Sequence, residues 1–125
     1  MDKNQLLNRL VVAEKHFTGE QFQTVVSLAR KSFDGGNFKA CEEMVTRLPT
    51  VESLLAALIH KLEGKSIYRT LEKIHKNEAV DPFMKLKGLS SLITHTVIEM
   101  EKGGVEYGLI LPSLMEKAQA LLYEL

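Results

Sequence analysis

The chain has 125 residues, 45% hydrophobic and 6% aromatic with no tryptophan, which suits one domain, residues 1–125, with a core of Leu, Val, Ile and Met. Its 16 Lys and Arg balance 16 Asp and Glu, and zero net charge argues against a protein that grips nucleic acid by neutralising phosphates. The lone Cys41 excludes an internal disulfide and a multi-cysteine zinc site, and it fits a reducing cytosol.

Residues 3–15 set Leu6, Leu7, Leu10, Val11 and Ala13 at the spacing of one helical face. Asp2, Asn4, Asn8 and Arg9 interrupt that segment and exclude a signal-like apolar run, so a cytoplasmic location is expected. Thr18 and Gln21 have capping-box spacing and predict the start of a second helix. Its apolar set is Phe22, Val25, Val26, Leu28, Ala29 and Phe33, and Gly35-Gly36 ends it. Asn37 caps a third helix through Leu48, with Phe38, Cys41, Met44, Val45 and Leu48 inward. Pro49 is expected to stop that helix, and Thr50 to cap a fourth. The fourth carries Val51, Leu54, Leu55, Leu58, Ile59 and Leu62, more than one stripe, which predicts a central position.

Gly64 closes the fourth helix, and Ser66 caps a fifth with Ile67, Tyr68, Leu71 and Ile74 on one face. Asp81-Pro82 is a cap followed by proline at the first helical position. It opens a helix over 82–101 that tolerates Gly88 at a cost of about 1 kcal/mol. Gly103-Gly104 breaks it. Residues 105–111, VEYGLIL, read as an apolar connector, either core or interface, into a last helix from Pro112 to about Tyr123. No stretch approaches the roughly 20 apolar residues of a membrane span. The fold expected is all-α: six to seven short helices, as stacked helical hairpins or a compact bundle.

Chemistry is sparse. His16, His60, His75 and His95 include no i, i+4 pair, and no HExxH occurs, so neither spacing supports a zinc site. Cys41 lies on the apolar stripe of its helix, where cysteine acts as a small hydrophobe. Neither GxGxxG nor GxxxxGK[ST] appears, and Glu42-Glu43 diverge on a helix surface. Nothing assembles a nucleophile, a base and an oxyanion site. The expectation is a protein that is not an enzyme and takes no cofactor or metal.

Charge is unevenly placed along the chain. Residues 60–87 hold seven Lys and Arg against four acids, and residues 99–125 hold two against five. Lys65, Arg69, Lys73 and Lys76 follow i, i+4, i+8, i+11 and form one basic helix face opposite Ile67, Leu71 and Ile74. Such a face meets phosphates or an acidic protein, or is simply a solvated surface. No aromatic residue lies among these positions to stack on bases.

Residues 22–48 resemble one tetratricopeptide-type hairpin: Leu28 and Ala29 in the first helix, the Gly36-Asn37-Phe38 turn, then Cys41 and Val45 in the second. Cys41 stands where alanine is usual, and Ser32 where tyrosine is. The order of features over residues 22–92 is similar to that of small tetratricopeptide-like chaperones of bacterial type III secretion, which hold a needle subunit in the cytosol. The shared features are the Gly-Asn-Phe turn, the apolar stretch Leu54–Leu62, the Gly64–Ser66 turn and a basic helix ending near Asp81-Pro82. The resemblance implies a groove that takes an amphipathic partner helix, lined by Gln23, Val26, Arg30 and Phe33. Packing of Val26 and Phe33 against the first and fourth helices reads the same residues equally well. The partner expected is therefore another protein, through a helical segment, with homo- or hetero-oligomers allowed.

Overall fold

Asp2 opens the first helix, α1 (Lys3–His16), through a reciprocal capping box: its carboxylate accepts from the Gln5 amide at 2.8 Å while Gln5 Oε1 accepts from the Asp2 amide at 3.2 Å. The computed structural model describes residues 2–125, and among them the regular structure is helical throughout, with no strand. Leu6, Leu10 and Ala13 bury the inner face of α1.

The Thr18–Gln21 capping box does not form. A 3-10 turn occupies Glu20–Phe22, and α2 spans Gln23–Asp34 with no side-chain cap at Phe22. Gln21 is committed elsewhere: it is buried, and its Nε2 donates to the His75 carbonyl at 3.4 Å. Gln23 Nε2 instead holds the turn, donating to the Thr18 carbonyl at 3.0 Å.

Gly36 takes φ +82°, and the Asn37 amide donates back to the Ser32 carbonyl at 2.8 Å, which closes α2. Asn37 then caps α3 by accepting from the Ala40 amide at 3.3 Å. Helix α3 spans Phe38–Lys61 without interruption, 24 residues with Pro49 inside. The expected break at Pro49 is therefore corrected to one long helix. A mid-helix proline costs about 3 kcal/mol. Against that, Cys41, Val45, Leu48, Val51, Leu55, Leu58 and Ile59 are all buried on α3, and each aliphatic side chain so buried contributes about 1.5–3 kcal/mol. Pro49 itself faces solvent.

Gly64 at φ +88° turns the chain into the short α4 (Tyr68–His75), whose first turn Ser66 does not cap. Asp81 caps α5 (Pro82–Glu101), accepting from the amides of Phe83 and Met84 at 3.0 and 3.3 Å. A 3-10 turn over Val105–Leu109 leads into α6 (Leu111–Glu124). No helix among the described residues is long and apolar enough to cross a membrane.

Helix α3 packs on α1, α2, α4 and α5. Helix α6 returns from the far end of the chain to lie on α2 and on the turn before it. There the Thr24 amide donates to Ser113 Oγ at 3.3 Å and the Thr24 hydroxyl to Glu116 Oε2 at 2.7 Å. That return closes the helices into a bundle, whereas stacked repeats touch only their sequence neighbours.

Candidate functional site

Three of the four residues expected to line a groove, Gln23, Val26 and Arg30, meet in one open cleft of about 410 Å³ between α1 and α2. Its floor is polar. Arg30 forks onto Glu14 of α1, with Nε donating to Oε2 at 3.0 Å and Nη2 donating to Oε1, and Asp34 stands 3.8 Å from Nη1. The hydrogen bond to Glu14 is the largest influence raising the guanidinium pKa above its usual value. Phe33 does not reach this cleft: it is 8% exposed and packs edge-on against Phe38, with ring centroids 5.2 Å apart. Phe33 is thus packed within the chain on Phe38 of α3, and Arg30 is engaged by Glu14.

The apolar trough lies on the other flank of α2. Val25 and Leu28 of α2, Met44 and Val51 of α3, Leu109 of the second 3-10 turn and Pro112 of α6 enclose about 200 Å³. Thr24 and Arg47 supply its polar edge. Leu28 is 45% exposed here, although the periodicity placed it with the inward residues. The trough continues along α2 towards α6, where Ser27, Lys31, Glu116 and Lys117 line a second depression that shares Thr24 and Leu28.

The connector 105–111 divides its residues. Ile110 is fully buried and Tyr107 nearly so, Leu109 and Leu111 are half-buried, and Val105 is exposed. It is thus core at Ile110 and part of the trough at Leu109.

The basic face is less regular than its spacing implied. Lys65 lies in the turn before α4 and Lys76 is the C-cap, so only Arg69 and Lys73 are on the helix. All four are exposed, and none has an ion-pair partner among the described residues. Elsewhere, Cys41 is fully buried, and burial pushes its thiol pKa up, which disfavours the thiolate. Among the described residues no three of His, Cys, Asp and Glu converge as metal ligands.

No family model, curated protein or solved structure matches the chain.

One signal pointed to the trough in advance. The apolar set of α2 (Val25, Leu28, Val26, Ala29, Phe33) is wider than a single stripe, so the helix had to be covered on more than one side. Which side stays open depends on where α6 returns, and no local pattern encodes that.

Proposed function

We propose that this protein is a non-enzymatic binding module that holds a helical segment of another protein in the apolar trough beside α2. Leu28 carries the proposal: a large aliphatic side chain, 45% exposed, at the point where the apolar depression meets the polar one along α2. An amphipathic helix laid along such a trough buries anchors at i, i+3 or i+4, and i+7. The likeness of residues 22–92 to secretion chaperones supports the same kind of work, and a cytoplasmic chaperone or adaptor for a type III secretion subunit is the specific form proposed.

Native co-purification with mass spectrometry tests this. A helical protein is expected at fixed stoichiometry with the parent chain and is lost on Leu28→Asp, which leaves the melting temperature nearly unchanged because Leu28 is already half in water. Retention of the same partner by Leu28→Asp would remove the trough from consideration.

A second reading uses the basic residues, because Lys65, Arg69, Lys73 and Lys76 are all exposed without ion pairs among the described residues. It requires binding to nucleic acid that weakens steeply with salt and disappears on Arg69→Glu with Lys73→Glu. No binding at low salt ends it.

A further inference from the structure

The chain as a whole is electrically balanced, with 16 cations and 16 anions, yet the rim of the trough is not. Several cations elsewhere have carboxylate partners: Arg30 has Glu14, and Lys61 and Lys102 share Glu99 at 3.0 and 3.9 Å. The cations beside the trough, like those of the basic face, have none among the described residues. Arg47 stands at the α3 edge, and Lys31 and Lys117 stand where the trough runs between α2 and α6. None of the three has an ion-pair partner among the described residues. The carboxylate nearby, Glu116, accepts the Thr24 hydroxyl at 2.7 Å. The two depressions along α2 are therefore lined by three cations and one carboxylate, an excess of positive charge beside the apolar floor.

Building on the helix-docking reading above, we propose that the occupant is an acidic amphipathic helix. Its apolar stripe lies over Leu28, Met44 and Leu109, and carboxylates flanking that stripe meet Arg47 on one bank and Lys31 and Lys117 on the other. The charges add selectivity and speed of encounter more than affinity, because all three cations sit at a wet rim. A partner with lysines in the flanking positions would be repelled at the same rim, so a basic helix with an identical apolar stripe is rejected.

A panel of synthetic peptides tests both parts. The peptides share a leucine stripe at i, i+3, i+4 and i+7 and are side-chain-bridged to equal helicity. They differ only in the flanking positions, which are Glu, Gln or Lys. Fluorescence anisotropy is read at low salt and at about 1 M salt, where the Debye length falls to about 3 Å. The Glu peptide is expected to bind about tenfold tighter than the Lys peptide at low salt, with the margin collapsing at high salt. Leu28→Asp abolishes binding of every peptide. Arg47→Glu with Lys31→Glu, both on exposed positions, reverses the order of preference.

Equal binding of the Glu and Lys peptides, lost on Leu28→Asp, overturns the acidic inference and leaves the helix-docking reading standing. Failure of the whole panel on a folded chain overturns both. Self-association of the parent chain that Leu28→Asp disperses assigns the trough to a second copy and also overturns the acidic partner.

Discussion

Gly88 illustrates how much a single side chain's absence decides. By composition it is only a weak spot in α5, costing about 1 kcal/mol against alanine. In the fold it is the point where α4 lies down on α5: a Cβ added there would stand 2.6 Å from Ile74 Cδ1, with Thr70 and Leu71 methyl groups at 3.4 and 3.5 Å. Ile74 and Leu71 are themselves buried, so the space is not recovered by swinging a side chain into solvent. Gly88→Val is expected to destabilise the chain by about 3 kcal/mol, and Gly88→Ala by about 1 kcal/mol or less, once its gain in helix propensity is offset. Thermal melts of the two variants check the ranking, and equal stability of Val and parent would mean that α4 is not seated on this glycine. Leu28 and Cys41 teach the complementary lesson. Both sit on apolar positions of amphipathic helices, yet one is 45% exposed and the other fully buried. Periodicity reports that a residue lies on an apolar face; it does not report whether a neighbour arrives to cover that face.

The helices themselves were largely legible. The boundaries of α5 and the Gly-Gly-Asn turn between α2 and α3 follow from caps and glycines whose chemistry is local. Two readings failed for opposite reasons. Thr18 and Gln21 had the right spacing for a cap, but burial of Gln21 against the carbonyl end of α4 drew its side chain elsewhere. Pro49 had the right chemistry for a stop, but the buried stripe Val45, Leu48, Val51, Leu55 keeps helical phase on both sides of it. That continuity of phase was present in the sequence and outranks the proline. Pro49→Ala restores an N–H for the Val45 carbonyl and removes a ring that crowds it, so it should raise stability by about 1–3 kcal/mol, visible as a melting temperature several degrees higher. A variant no more stable than the parent would show that α3 needs the proline to keep its two halves seated on their different neighbours.

Across the whole molecule, the Lys61–Glu99 contact at 3.0 Å joins the end of α3 to the end of α5. The hydrogen bond from Lys61 holds the Glu99 carboxyl below the usual carboxylate range and raises the lysine above its own. A lowered acid contributes fully above the ordinary carboxylate pKa and fades as pH falls through its lowered value. A raised lysine contributes below the ordinary lysine pKa and fades as pH rises through its raised value. The pair therefore stabilises across the neutral range, and Glu99→Gln should cost more at neutral pH than at a pH acid enough to protonate the parent's Glu99, below the ordinary carboxylate range. Equal losses in melting temperature at both would assign no charge role to Glu99. At this scale the candidate site was least legible, because Val25 and Leu28, Met44 and Val51, and Leu109 and Pro112 come from three separated stretches that only tertiary packing brings together. That separation bears on the order in which the molecule is made. The first two stretches are synthesised well before the wall formed by Leu109 and Pro112 and the Ser113 and Glu116 oxygens that receive Thr24. A nascent chain thus presents Val25, Leu28 and Met44 as bare apolar surface until α6 leaves the ribosome. A release delayed just before residue 105 is expected to leave an aggregation-prone product with α2 and α3 formed and no trough.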